Sequence, residues 1–137
     1  MAFLADPPKN LCMKGLKRFY PDVNKELETI AIIDELKPNP EEDVVIEKHW
    51  FDAFTDTSLD NFLKALNKKQ LIITGTLTDA CVNATTIGAY HKNYYNVVVT
   101  DAVAALVPEQ HEWTLKLLAK RYAKLMTTSE VISVLDK

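Results

Sequence analysis

Three short apolar runs along the chain predict buried β-strands. Residues 44–46, 71–73 and 97–99 are hydrophobic at every position, and most of their side chains are β-branched. Continuous runs of this length are typical of strands covered on both faces, rather than of strands with one face in water. The strands are expected to end near Lys48, Thr76 and Asp101.

Apolar positions at helical spacing predict helices between and after these strands. Leu59, Phe62, Leu63 and Leu66 lie three, one and three positions apart, which places them on one helix face. Similar patterns predict further helices over residues 80–92, 108–125 and 129–135. The expected N-caps are Thr57 or Ser58, then Asp79, and finally Thr128 or Ser129.

The predicted helix over residues 108–125 is amphipathic. Its basic positions lie largely on the side opposite the apolar ones, so we interpret them as a solvated face rather than a nucleic-acid surface. The apolar side is expected to consist of Trp113, Leu117, Leu118, Tyr122 and Leu125, and the basic side of Lys116, Lys120, Arg121 and Lys124.

Alternation of strands and helices predicts an α/β fold with a mostly parallel, open sheet in a three-layer α/β/α arrangement. In such sheets the functional sites lie beyond the carboxyl ends of the strands. We expect residues 1–137 to form one domain, in which residues 1–42 are a divergent segment without a clear pattern. Within that segment, residues 1–6 are a candidate edge or central strand.

Composition narrows the function classes. The chain is 47% hydrophobic and 26% charged with a net charge of −3, which is typical of a globular protein and unlike a nucleic-acid or membrane binder. Its three glycines exclude a glycine-rich dinucleotide or phosphate loop. Two cysteines, and an N-terminus without a basic region, favour a cytoplasmic location.

Cys81 is the candidate nucleophile. It follows a predicted strand and turn and lies in the first turn of the next helix, where unpaired backbone N–H groups favour a thiolate. Lys48, at the end of a neighbouring predicted strand, would add a positive charge. One alternative is that Cys81 is a small buried hydrophobic residue. Redox sensing is disfavoured, because no resolving cysteine is near in sequence.

Other polar and aromatic residues give weaker signals. His49, His91 and His111 lack the spacing of metal ligands, so we expect no metal and no cofactor. His111, in the first turn of a long helix, is placed to hydrogen-bond a loop. The aromatic residues Trp50, Phe51 and Phe54 belong either to the core or to a pocket wall for a small planar ligand.

Several segments resemble the isochorismatase-like cysteine hydrolases, a family that includes nicotinamidases, carbamoylsarcosine amidases and ureidoacrylate hydrolases. The most specific match is the run Gly75, Thr78, Cys81, Val82 after a strand, and Lys48 with Phe54 and Thr57 is a second. The resemblance implies the family's Rossmann-like fold. It extends over residues 35–38, 44–63, 71–90, 97–106 and 109–132, in the family's order.

The resemblance also implies a reaction and a set of residues. In this family an aspartate, a lysine and a cysteine hydrolyse an amide-type C–N bond through a thioester. By analogy Cys81 is the nucleophile, Lys48 its partner, and the oxyanion is held by the backbone N–H groups of Cys81 and Leu77, the latter after a cis peptide bond at Thr76–Leu77. Trp50, Phe54 and Thr78 are expected in the pocket for a small-molecule substrate.

The chain departs from the family pattern in its N-terminal part. No apolar run followed by Asp-Met-Gln precedes Lys48, and the nearest candidate for the catalytic aspartate is Asp6. We therefore expect the N-terminal part to be shortened or divergent and to lack part of the family's first β-α unit. This would leave an open sheet edge and favours a homo-oligomer, a dimer or tetramer. The alternative function is a catalytically impaired relative that acts through binding or oligomerisation.

Overall fold

The computed structural model describes residue 32 and residues 34–136. The chain divides into two compact units, residues 1–45 and residues 46–137. The expected single domain over residues 1–137 stays a prediction. The expected strand over residues 1–6 lies outside the described residues.

The described residues of the first unit form a short helical turn and a hydrogen-bonded bend. Asp34–Leu36 is a single 3₁₀ turn. After it, the backbone N–H of Asn39 donates to the carboxylate of Asp43 at 2.8 Å, a side-chain-to-backbone bond typical of turns. Val44 and Val45 follow this bend, and both are exposed.

A parallel sheet of three strands forms the centre of the second unit, in the order β1-β2-β3. The strands are β1, Gln70–Thr76, β2, Tyr95–Ala104, and β3, Lys124–Met126. This confirms the α/β fold with an open parallel sheet. Among the described residues β1 and β3 are the edge strands.

Helices connect and follow these strands. The helices are α1, Leu59–Ala65, α2, Asn83–His91, α3, Pro108–Arg121, and α4, Thr128–Leu135. A π-helical turn, Thr78–Val82, leads from β1 into α2. Within the described part of the chain, no helix is both long and apolar enough to cross a bilayer.

Two apolar clusters form the core of the second unit. The larger one joins the sheet to α3 through Val98 and Leu118, which are both completely buried. The smaller one contains Phe54, Ala89 and Tyr94, and it brings the loop before α1 against the end of α2. Coverage of the sheet is uneven, since Ile72 on β1 remains 48% exposed.

The predicted strand over residues 44–46 is wrong. These residues are outside the sheet, and the side chains of Val44 and Val45 are 52% and 63% exposed. A strand requires a neighbour that completes its backbone hydrogen bonds, and no described strand pairs with this run. The other two predicted strands are confirmed, with longer bounds.

The predicted helix over residues 108–125 is too long, and its inner face is partly wrong. The helix ends at Arg121, and Leu125 belongs to β3, a strand that the pattern missed. Trp113 is 65% exposed, whereas Thr114 is buried. The core face therefore follows Thr114 and Leu118, one turn apart, rather than Trp113.

Of the three expected N-caps, the one at Thr57 or Ser58 is confirmed in position, and the other two are wrong. Thr127 caps α4 in a capping box with Glu130, so the cap lies one residue before Thr128. Asp79 lies inside the π-helical turn, which Leu77 precedes. Ser58 does precede α1, although its side chain makes no capping hydrogen bond.

Candidate functional site

The segment between β1 and α2 brings Cys81 to the carboxyl end of the sheet. β1 ends at Thr76, and a cis peptide bond joins Thr76 to Leu77, at the position that the resemblance predicted. The carbonyl of Leu77 then accepts hydrogen bonds from the N–H groups of Ala80 and Val82, both at 3.1 Å. These bonds close a tight turn with Cys81 inside it.

Lys48 and Cys81 form a hydrogen-bonded pair. The Nζ atom of Lys48 lies 3.4 Å from the Sγ atom of Cys81, and it also donates to the carbonyl of Trp50 at 2.9 Å. Cys81 is a free cysteine with a half-buried side chain. A positive charge beside a sulfur stabilises the thiolate, so the arrangement suits a nucleophile.

The loop that follows Lys48 is docked on α2 by polar contacts. The N–H of Ala53 donates to the hydroxyl of Thr85 at 3.0 Å, and that hydroxyl donates to the carbonyl of Phe51 at 3.3 Å. Asp52 accepts from the N–H of Phe54 at 2.9 Å. This loop therefore has a defined position next to the helix that follows Cys81.

Asp52 and Gly88, which the sequence analysis missed, explain the close approach of this loop. A Cβ atom at Gly88 would lie 2.5 Å from the Oδ1 atom of Asp52, so only glycine leaves room for the carboxylate. An aspartate that bonds the backbone two residues later is a recognisable turn signal. The need for a glycine 36 positions away depends on tertiary packing.

The aromatic residues of the loop have different environments. Trp50 is half-buried, and its indole N–H donates to the carboxylate of Asp56 at 2.9 Å. Phe54 is 5% exposed and stacks on Tyr94 with ring centroids 5.7 Å apart. Of the two roles left open for Phe54, its packing matches the core, and contact of Trp50 or Phe54 with substrate stays a prediction.

Thr78 and His111 form a second polar contact at the turn. The hydroxyl of Thr78 lies 2.9 Å from the Nδ1 atom of His111, and the Thr78 side chain is completely buried. This confirms that His111 hydrogen-bonds a loop. The predicted contact of Thr78 with substrate stays a prediction.

The family model for the isochorismatase domain matches residues 3–130 of the chain. The chain belongs to the isochorismatase family. A curated relative, the ureidoacrylate amidohydrolase RutB from Methylorubrum extorquens, is 33% identical over 99 residues. This match includes 69% of the present chain and 39% of the relative.

Solved structures of isochorismatase-like proteins have a similar fold. A cysteine hydrolase from Pseudomonas syringae pv. phaseolicola matches with a TM-score of 0.76 and 27% identity, over 86% of this chain and 62% of that protein. An N-carbamoylsarcosine amidase from Thermoplasma acidophilum matches with a TM-score of 0.62 and 34% identity, over 70% and 54%. The chain thus spans only part of the length of these relatives.

The residue expected to act as the catalytic acid is not among the described residues. Asp6 lies outside them, so its predicted catalytic role stays a prediction. Within residues 34–136 no carboxylate forms an ion pair with Lys48. The same part of the chain has no group of three His, Cys, Asp or Glu side chains placed to hold a metal ion.

Proposed function

We propose that this chain belongs to a cysteine-dependent hydrolase that cleaves the C–N bond of a small amide, ureide or carbamoyl compound. The observation that carries the proposal is the 3.4 Å contact between Lys48 Nζ and Cys81 Sγ at the end of β1. Family membership supports it, as do the names of the relatives, an ureidoacrylate amidohydrolase and an N-carbamoylsarcosine amidase.

The proposed reaction has two steps. The thiolate of Cys81 attacks the substrate carbonyl carbon, and the backbone N–H groups of Leu77 and Cys81 hold the developing oxyanion. The C–N bond breaks, and the amine leaves with a proton from a carboxylic acid, for which Asp6 is the candidate. Water then adds to the thioester, gives a proton back to the carboxylate, and releases a carboxylic or carbamic acid and the thiolate.

A panel of small substrates tests this proposal. The purified chain of residues 1–137 is incubated with ureides, N-carbamoyl amino acids, aromatic carboxamides and aliphatic amides, and released ammonia or amine is measured. We expect turnover of at least one class, its loss in Cys81→Ser, and a strong reduction in Lys48→Met and Asp6→Asn. Turnover that survives in Cys81→Ser would contradict the thioester mechanism, and a wholly inactive chain would contradict the hydrolase.

The second candidate is a catalytically impaired family member that acts through binding or oligomerisation. It is favoured by the sequence before Lys48, in which no apolar run is followed by Asp-Met-Gln. Without a general acid, a rate enhancement of roughly 10²- to 10⁴-fold is lost. Mass spectrometry after acid quench distinguishes the two candidates. An acyl adduct on Cys81 is expected for the hydrolase and not for the impaired family member.

The ligand class, the location and the oligomeric state of the protein are also part of the proposal. We expect a small-molecule substrate rather than nucleic acid or a membrane surface, because the net charge is −3. A cytoplasmic location and a homo-oligomer, a dimer or tetramer, stay predictions. Sedimentation velocity at micromolar concentration measures the oligomeric state directly.

A further inference from the structure

The turn that holds Cys81 is tied to α3 by a side-chain hydrogen bond between residues far apart in sequence. Thr78 and His111 are 33 positions apart, and their Oγ1 and Nδ1 atoms lie 2.9 Å from each other. Thr78 is completely buried and His111 is half-buried. A buried hydroxyl without a partner is costly, so this bond favours one placement of the turn.

Two contacts with α3 lie on either side of Cys81 along the chain. Three residues before it, Thr78 bonds His111, and directly after it, Val82 packs in the same core cluster as Leu118. The backbone bonds to the Leu77 carbonyl are local and determine only the shape of the turn. The two contacts with α3 determine how the turn is oriented relative to the rest of the unit.

Orientation matters because the contact between Cys81 and Lys48 is a single long hydrogen bond to sulfur. At 3.4 Å, a small rotation of the turn would move the Sγ atom away from the ammonium group. Lys48 is held separately, by its bond to the carbonyl of Trp50. The lysine would therefore not follow the sulfur if the turn rotated.

We propose that Thr78 and His111 are positioning residues that hold Cys81 within hydrogen-bonding distance of Lys48. Thr78 then acts through the placement of the sulfur rather than by contact with substrate. The importance of this placement for turnover rests on the proposed function. Its effect on the reactivity of the thiol does not, and can be measured without any substrate.

The experiment measures the rate of iodoacetamide alkylation of Cys81 at pH 7. It uses the chain of residues 1–137 with Cys12→Ser, so that Cys81 is the one thiol left to react. Thr78→Val and His111→Leu remove the two halves of the bond. Thr78→Ser and His111→Asn are the conservative variants, since each keeps a polar atom at the bonding position. The matched control is Thr114→Val, at a buried threonine on α3 that lies three residues after His111.

We expect Thr78→Val and His111→Leu to slow alkylation roughly 3- to 10-fold, the equivalent of one ordinary hydrogen bond. The two conservative variants and Thr114→Val should stay within about twofold of the parent. Because both substitutions break the same bond, the double variant should be no slower than the slower single variant. Rates equal to that of Thr114→Val, or effects that multiply in the double variant, would overturn the proposal.

Two further measurements show whether the positioning proposal or the hydrolase proposal has failed. If a substrate is found, kcat should fall in Thr78→Val and His111→Leu while KM stays within about twofold. If no substrate is found, the hydrolase proposal fails, but the alkylation rates still decide on positioning. Thermal melts identify a variant that does not fold, and in that case His111→Leu, at a half-buried site, decides the question.

Discussion

The ammonium group of Lys48 lies 3.4 Å from the sulfur of Cys81, although the two residues are 33 positions apart in the chain. The approach depends on two independent elements. A turn at the end of β1 presents the sulfur, and a loop docked on α2 through Thr85 follows the lysine. The turn continues directly into α2, on which the loop is docked, and its hydrogen bond to His111 ties it to α3 as well.

Removal of the positive charge should make Cys81 less reactive at neutral pH. We expect Lys48→Met to slow alkylation of Cys81 about tenfold at pH 7, because a neighbouring cation stabilises the thiolate. Alkylation rates between pH 5 and 10 measure this.

The control for this prediction is Lys116→Met, since Lys116 is an exposed lysine of α3 whose ion pair is with Glu112, at 3.7 Å. Its pH profile should coincide with that of the parent chain. Identical profiles for Lys48→Met and the parent would show that the contact with Lys48 has no effect on the thiol.

The parts of the candidate site that depend on short motifs could be predicted from the local sequence. The run from Gly75 to Val82 placed Cys81, and the resemblance also placed the cis peptide bond at Thr76–Leu77. The sequence predicted that Lys48 lies close to Cys81, because the carboxyl ends of parallel strands meet at one edge of a sheet. Lys48 lies there, directly before a bend that begins at His49, even though the run before it is not a strand.

Features that depend on distant partners could not be predicted. β3 is three residues long, and Leu125 continues the helical spacing of the residues before it, so only the pairing with β2 reveals a strand. Hydrophobicity selected Trp113 for the core, whereas the buried residue is Thr114. A polar residue on the core face of a helix leaves no signal in a pattern of apolar positions.

Gly88 should tolerate alanine only when the carboxylate at position 52 is absent. A Cβ at Gly88 meets the Asp52 carboxylate, which cannot move freely because it accepts hydrogen bonds from Phe54 and Thr55. We expect Gly88→Ala to lower the free energy of unfolding by about 1–3 kcal/mol. Urea denaturation measures the change.

The matched comparison is the same substitution in Asp52→Ala. There the clash is gone, and alanine inside a helix is favoured over glycine by about 0.5–1 kcal/mol. Gly88→Ala should therefore stabilise the Asp52→Ala chain. A loss of stability of equal size in both backgrounds would show that the contact with Asp52 is not the cause.

Asp60 should make stability depend on pH in the acid range. Its carboxylate accepts hydrogen bonds from Lys64 at 2.9 Å, from Tyr94 at 2.9 Å and from Lys92 at 3.2 Å. These bonds, that of Lys64 above all, lower the pKa of Asp60 from 3.8 to about 2, against the opposing effect of burial. Ionised Asp60 therefore favours the folded chain.

Because the pKa of Asp60 is lower in the folded chain, its contribution is present above pH 3.8 and is lost as the pH falls through about 2. We expect Asp60→Asn to be less stable than the parent at pH 5, and the difference to shrink between pH 4 and pH 2. Lys64→Met should reduce this pH-dependent part. Parallel stability curves for parent and Asp60→Asn would contradict the assignment.

Asn96 should stabilise the junction of α2 with the C-terminal end of α3, because its side-chain amide bonds Thr86 in α2 and Tyr122, the residue directly after α3. The Nδ2 atom donates to the carbonyls of Thr86 at 3.0 Å and Tyr122 at 3.1 Å, and Asn96 is 5% exposed. We expect Asn96→Leu to lower the free energy of unfolding by about 1–3 kcal/mol, since both carbonyls lose a donor.

The variant Asn96→Asp shows whether Asn96→Leu is less stable because the hydrogen-bond donors are lost or because the side-chain shape has changed. A carboxylate has the same outline, but it offers no donor and places a buried negative charge beside two carbonyl oxygens, so at pH 7 it should cost more than Asn96→Leu. Protonation restores one donor, and part of the stability of Asn96→Asp should return as the pH is lowered to 4. The control is Asn61→Asp, at an exposed position of α1. If Asn96→Asp is as stable as the parent chain at pH 7, the two hydrogen bonds of the amide do not hold the helices together.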